Sequence, residues 1–243
     1  MSRTLKDVFR ENVLFLGGGR ALLLQLAHPA VAAGVAEHSD FRNDPFTRLR
    51  RTIAVVDRIV YGSDDEAATA AASLRAVHDR VVGDGYSAND PELLFWVHAT
   101  LVDTGLRIYN GFVAPLSTHD RHRIYEESIA VAEVIGVPRS LQPATFTEFA
   151  AYWREMVGSL RVTDTAREVA GAVLNPRLPL VAGPAFELVR QVTVGLLPRP
   201  IREQYGFGWD AARKAALNAT ALASRTVHPV LPRLLRQGNL LAG

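Results

Sequence analysis

Histidines are the residues of this 243-residue chain that most directly suggest chemistry, because it has seven of them and no cysteine. The lack of cysteine excludes disulfides, thiolate zinc sites, iron–sulfur clusters and a thiolate-ligated haem. His98 stands within ELLFWVHATLVDTGL, one of the most apolar stretches of the chain. A buried neutral imidazole needs a partner for each ring nitrogen, or a metal in place of one.

A second histidine falls on the apolar face of a predicted helix over 64–82. That face comprises Ala67, Ala70, Ala71, Leu74, Val77, His78 and Val81, so His78 is predicted to point towards the interior or its margin. On the next predicted helix, 91–113, Gly105 shares a face with His98 and would let a neighbour or a flat ligand approach closely.

A third predicted helix, over 45–61, carries polar groups beside its core stripe. The core stripe is Phe46, Leu49, Ile53, Val56 and Val60. Beside this stripe runs a second row at helical spacing: Arg48, Thr52, Val55 and Ile59. The row would place the guanidinium of Arg48 and the hydroxyl of Thr52 in the same cavity.

Structural explanations compete with these functional ones. A lone histidine on an apolar helix face is more often a core residue hydrogen-bonded to a carbonyl or carboxylate. His28 precedes Pro29 and fits a helix boundary, and His119 and His122 stand among charged residues at a helix start. Spacing alone therefore indicates a helical domain with internal histidines.

Helix-capping signals recur along the chain and predict one all-α domain over 1–243. Examples are Asp90-Pro91, Ser63 with three acidic residues, and capping boxes at 145–148 and 165–168. The helices are predicted at 3–12, 19–27, 29–38, 45–61, 64–82, 91–113, 117–135, 145–158, 165–174, 184–196, 199–205 and 209–227. Gly17–Arg20 superficially suggests a dinucleotide loop, but it lacks the G-x-G-x-x-G pattern and no βαβ unit follows, so a flexible connection is predicted.

Composition narrows the function classes further. The formal net charge is +2 and the charges are interleaved, which argues against a nucleic-acid surface. No secretory pattern opens the chain, and the apolar run 21–36 is too short and interrupted for a transmembrane helix. These features predict a cytoplasmic protein and leave a homo-oligomer open.

Five segments together resemble one family. They are QLAHPAVAAGVAEHSDF (25–41), RLRRT (48–52), LRAVHDRVVG (74–83), NDPELLFWVHATLVDT (89–104) and LPRPIREQYGFGW (197–209). The chain resembles the MpaB-type oxygenases, which are related to the rubber oxygenases (latex clearing proteins), over nearly its whole length.

The resemblance implies a globin-like helical bundle that holds haem b through a histidine. Residue by residue, Arg48 and Thr52 match an Arg and a Thr on the side of the haem opposite that ligand, and Arg51 stands where the rubber-cleaving branch has Lys. His78 matches the proximal histidine, while His98 belongs to the signature of the short branch and is an alternative or second ligand. The catalytic base of the family matches Glu37 only poorly.

The resulting hypothesis is a haem-dependent oxygenase that activates O2 against a small apolar substrate, isoprenoid or lipid-like. Arg48, Arg51 and Thr52 would be catalytic, and His78, His98 and Gly105 would help to hold the haem. Two alternatives stay open: a non-catalytic haem or gas sensor with both histidines on the iron, and a cofactor-free lipid-binding helical protein. A di-iron bundle would want Glu three positions before each histidine, where Arg75 and Phe95 stand instead.

Overall fold

The computed structural model describes residues 2–39, 45–175 and 183–237, with the backbone alone at 45–51 and at 184. These residues form an all-α fold, as predicted, with a single hairpin of two-residue strands in the described part. The α-helices are α1 (Leu5–Phe9), α2 (Gly18–Leu26), α3 (Pro29–His38), α4 (Pro45–Tyr61), α5 (Asp64–His78), α6 (Pro91–Ile108), α7 (Thr118–Val134), α8 (Phe146–Ser159), α9 (Asp164–Leu174), α10 (Gly183–Leu196), α11 (Arg199–Gln204), α12 (Ala211–Val227) and α13 (Arg233–Arg236).

Most predicted caps are confirmed at the atomic level. The Ser63 hydroxyl accepts a hydrogen bond from the Glu66 amide, and the Glu66 carboxylate accepts one from the Ser63 amide, which completes a capping box. The capping box predicted at 165–168 is wrong. The N-cap residue is Thr163, two residues earlier, because its hydroxyl accepts from the Ala166 amide at 3.1 Å, and α9 begins at Asp164.

Helix α6 is central to the fold, as its apolar composition predicts. Trp96, Ala99 and Val102 are almost fully buried, and the helix packs against α2 and α7. The helix ends as an α-helix at Ile108 and continues as one π-helical turn, Tyr109–Val113. The α2–α6 pair therefore fixes the backbone around which the candidate site is built.

The glycine-rich segment before α2 packs closely, so the prediction of a flexible connection is wrong. Residues Asn12–Gly17 form a 3₁₀ helix that leads directly into α2. A Cβ atom added to Gly17 would lie 2.5 Å from Cγ2 of Thr104, and one added to Gly19 would overlap the Thr193 side chain. These glycines let α2 approach α6 and α10, which no larger residue would permit.

Helix α5 is shorter and more exposed than predicted. Its alanines at 67, 70 and 71 are buried, but Val77 is 60% exposed. The helix ends at His78 rather than at 82, because the Asn89 side chain donates to the Arg75 carbonyl at 3.4 Å and to the Asp79 carboxylate at 2.7 Å. A hairpin then follows, with β1 (Val82–Gly83) antiparallel to β2 (Tyr86–Ser87).

None of the described helices is both long enough and apolar enough to cross a bilayer.

Candidate active site

A cavity of about 460 Å³ lies between the start of the chain, α2, α4, α6 and α13. Its apolar lining includes Phe9, Leu14, Leu22, Ile53 and Leu101. The polar groups along it are Arg10, Glu11, Asn12, Gln25, Thr52, Asp57, Tyr61, Thr104, Arg233 and Gln237. The exposed surface of the cavity is mostly apolar, and a mostly apolar lining that carries polar groups is typical of a site for a small organic ligand.

Two of the predicted site residues line this cavity. Thr52 is exposed, which places it where the cavity meets solvent, and Gly105 lies on the inner wall formed by α6. A Cβ atom on Gly105 would lie 3.2 Å from the Phe9 ring, so the neighbour that approaches this glycine is the end of α1. Arg48 and Arg51 lie on α4, and their side chains are outside the described residues.

His98 is buried in the interior, as predicted, and is not one of the cavity-lining residues. Its Nε2 atom has no hydrogen-bond partner among the described residues. Burial lowers the pKa of the imidazole to about 4, and an interaction with the backbone of Ser128 on α7 acts in the opposite direction. The ring is therefore neutral at pH 7, which is the form that binds a metal.

His78 lies at the margin of the interior, which is one of the two settings predicted for it. It is the last residue of α5 and is half-buried. Helix α5 packs against α4 and α7, while α6 packs against α2 and α7. Both candidate ligands therefore lie on helices that contact α7, and the idea that they share one iron stays a prediction.

Two other histidines, His28 and His119, differ in how far their rings are buried. His28 is the N-cap residue of α3, which confirms the predicted helix boundary, yet its Nδ1 atom is buried without a hydrogen-bond partner in the described part of the chain. Burial lowers its pKa, and the nearby Asp90 carboxylate opposes that shift. His119 is exposed, in accordance with its solvated surroundings in the sequence.

The acidic groups of the cavity differ from the acid that the family pattern suggests. Glu37 is exposed, and its carboxylate accepts a hydrogen bond from the Tyr86 hydroxyl at 2.6 Å, away from the cavity lining. Glu11 and Asp57 line the cavity instead. Tyr61 also lines it and donates to the Lys6 carbonyl at 2.9 Å, and burial raises the pKa of its phenol.

Glu11 is the centre of a buried polar cluster at the cavity wall. Its Oε2 atom lies 2.8 Å from Nε2 of His228, and its Oε1 atom accepts a hydrogen bond from the side-chain Nε2 of Gln237 at 2.8 Å. Asn12 donates to the Leu235 carbonyl at 3.0 Å. These bonds tie the C-terminal segment to the start of the chain, across more than 200 residues of sequence.

Arg20 is the other polar group that sequence reasoning missed. It is fully buried and donates to the Leu196 carbonyl at 2.8 Å, to the Thr104 hydroxyl at 2.5 Å and to the Asp103 carboxylate at 2.6 Å. Burial lowers its pKa to about 10, and Asp103 partly offsets that shift. The guanidinium is therefore charged at neutral pH, and it fixes α2 against α6 behind the cavity wall.

The side-chain arrangement offers no ready-made multi-residue metal centre. No group of three or more His, Asp or Glu residues converges on a metal-sized site within the described residues. A haem iron needs no such group, because the porphyrin supplies four ligands and the protein supplies only one or two.

A family model matches a part of the chain that contains all five segments of the resemblance. The model described as the catalytic domain of the ER-bound oxygenase mpaB/B′ and of rubber oxygenase matches residues 6–226. No curated protein and no solved structure matches the chain. The match covers every described element that lines the cavity except α13.

Proposed function

We propose that this chain, which belongs to the family of mpaB and rubber oxygenase catalytic domains, is an oxygenase that uses haem b and O2 on a small apolar substrate. The family itself is one of oxygenase catalytic domains. The haem and the class of substrate are the proposed part. The cavity beside α6 is the proposed substrate site, and His98 is the proposed iron ligand.

The observation that carries the haem proposal is the state of His98. A buried polar atom without a partner costs free energy, and native proteins rarely leave one without a reason. Within the part of the chain that the structure describes, Nε2 of His98 is such an atom, and the ring is neutral at physiological pH. The donor chemistry of this residue fits a haem iron, which binds neutral imidazole.

The haem and the residues lining the cavity would have separate roles in the proposed reaction. Bound haem would supply the redox chemistry that activates O2. Leu101 and Ile53 would hold an apolar substrate and exclude water from it. The Thr52 hydroxyl could donate a hydrogen bond at the edge of the cavity, and Arg48 and Arg51 on the same helix remain proposed donors.

The proposal is tested by the absorption spectrum of protein expressed with ample iron and haem precursor. We expect a Soret band that is lost in His98→Ala and partly restored by added imidazole, since the small molecule can replace the missing side chain. His119→Ala, which alters an exposed imidazole, is the matched control and should keep the band.

Each outcome decides a different part of the proposal. Loss of the band in His78→Ala alone would transfer the ligand role to His78 and refute the assignment to His98. An unchanged band in the His78→Ala/His98→Ala double variant would refute both. Circular dichroism of each variant separates loss of haem from loss of fold.

A cofactor-free lipid-binding protein is the second candidate, and one observation favours it. None of the seven histidines lines the cavity, so the cavity could hold an apolar ligand without any iron. This alternative predicts protein that stays colourless when supplied with haemin but binds a fluorescent fatty acid.

The sensor alternative, with both histidines on the iron, predicts a six-coordinate spectrum and slow binding of carbon monoxide.

A further inference from the structure

The C-terminal segment 228–237, here called the strap, exposes large aliphatic side chains. Leu234 is 85% exposed, Val230 79% and Leu235 59%. Leu222 and Val227, on the last turns of α12 before the strap, are also exposed. These five make up most of the large exposed hydrophobic residues in the described part of the chain, and such a concentration usually marks an interaction surface.

The strap is held in place by hydrogen bonds rather than by burial of its leucines. Glu11 engages His228 and Gln237, and Asn12 engages Leu235. The anchored side of the strap is therefore polar, and the aliphatic side chains are left outward. A surface that is fixed in this way does not have to be ordered when it binds.

The part of the sequence that contains the strap carries charge of a single sign, although the strap is anchored on the buried carboxylate of Glu11. From residue 211 to the end of the sequence there are five basic residues, Arg213, Lys214, Arg225, Arg233 and Arg236, and no acidic residue. Arg233 is exposed and stands directly beside Leu234. Aliphatic side chains mixed with cations are complementary to an anionic lipid surface, where the cations meet headgroups and the aliphatic groups enter the acyl boundary.

The position of the strap relative to the cavity supports the same partner. Arg233 and Gln237 belong to the strap and also line the cavity. A bilayer against the strap would therefore lie next to the cavity opening, where an apolar molecule could enter without crossing water. Aromatic residues, which are enriched at the core of protein interfaces, are absent from residues 227–237.

We propose that the strap, together with Leu222 and Val227, docks on the surface of an anionic lipid bilayer. The attachment is peripheral, since the strap is a 3₁₀ helix, His228–Val230, followed by the four-residue helix α13 rather than a spanning segment. The docking needs no cofactor, so vesicle binding by colourless protein would stand even if the haem proposal failed.

Flotation with lipid vesicles tests this directly on the full chain. We expect binding to vesicles of phosphatidylcholine and phosphatidylglycerol at 3:1, weaker binding to phosphatidylcholine alone, and loss of the difference at high salt, where charges are screened. Arg233→Gln should weaken binding about fivefold, the typical contribution of one basic residue near an anionic surface. Arg80→Gln, on an exposed arginine outside the strap, should not change it.

The aliphatic contribution is tested by a matched pair. Leu234→Glu should abolish binding to anionic vesicles, while Leu141→Glu, which alters an exposed leucine between α7 and α8, should leave it intact. Equal loss in both variants, or no binding to either vesicle, would overturn the proposal. A concentration-dependent dimer that Leu234→Glu dissolves, without vesicle binding, would overturn it in favour of an interface between two copies of the chain.

Discussion

Helix α6 contributes to two buried polar sites that differ in how completely their groups are paired. At its C-terminal half, Asp103 and Thr104 accept hydrogen bonds from Arg20, which also reaches the Leu196 carbonyl. Nearer its start, His98 is buried as deeply, but its Nε2 atom has no partner among the described residues. Among the described residues, the first site has partners for all of its polar groups and the second does not.

This difference separates a structural role from a ligand-binding one. A buried cation whose partners are all present gains nothing from a ligand, and removing it leaves several groups unpaired. A buried neutral ring with an open nitrogen gains from a ligand that supplies the missing bond, and its removal leaves little unpaired. The predictions below act on these two sites and on the glycine contact that supports one of them.

Replacing Arg20 should have the largest effect on stability. Arg20→Met removes the charge that Asp103 and Thr104 depend on, and the free energy of unfolding should fall by about 3–5 kcal/mol. Denaturant titration followed by circular dichroism measures the change. Arg107→Met is the control, because Arg107 also contacts Asp103 at 2.7 Å but is half exposed, and it should cost less than about 1 kcal/mol. Equal losses would show that burial of Arg20 is unimportant.

The pH dependence of stability should report on His98 in protein free of cofactor. The pKa of the His98 imidazole is about 4 in the folded protein and about 6.5 in an unfolded chain. Between these pH values the imidazole is protonated in the unfolded chain and neutral in the folded protein. Stability from this group is therefore complete above pH 6.5 and falls by about 3 kcal/mol as the pH drops to 4.

His98→Leu should remove that pH-dependent loss while changing stability at pH 7 by less than about 1 kcal/mol, since an unpaired polar atom is replaced by an apolar group. Chemical denaturation of both proteins between pH 4 and pH 7 makes the comparison, with His119→Leu as the exposed control. A large loss at pH 7 would mean that the ring of His98 is fully paired and that the contrast with Arg20 does not hold.

Gly17→Ala should cost less stability than Arg20→Met, and it tests the Arg20 site from its other side. The new methyl group would collide with Cγ2 of Thr104, whose hydroxyl accepts from Arg20, so we expect a loss of about 1–3 kcal/mol. Gly111→Ala, where a Cβ atom meets nothing within 4 Å, should be neutral or stabilising. Thermal unfolding of the pair decides whether the glycine is needed for packing.

Local signals predicted the elements of this fold well and their ends less well. Ser63 and Asp90 identified the starts of α5 and α6 because a cap is a contact between neighbours in sequence. The end of α5 was missed because it depends on Asn89, which lies beyond the hairpin. The exposure of Val77 was missed because helical periodicity finds an apolar face without showing that another element covers it.

The candidate site shows the same division. The sequence singled out His98 as internal, placed Thr52 beside Arg48 at a cavity, and marked Gly105 as a point of close approach. The structure shows Thr52 and Gly105 lining the same cavity. The sequence contained no sign of the Glu11–His228 pair, whose members are 217 residues apart. It also treated Arg20 as part of a flexible loop, since a composition of three glycines and an arginine does not reveal what the chain packs against.

The sequence by itself determined the helical class, most helix starts, the lack of thiol chemistry and the family, because each depends on residue type or on neighbours along the chain. The tertiary structure alone decided which polar groups are paired in the interior and which acids line the cavity. It also decided that the aliphatic residues of the strap remain outside. These outcomes depend on contacts between residues distant in sequence, and such contacts form and contribute free energy only when the helices pack together.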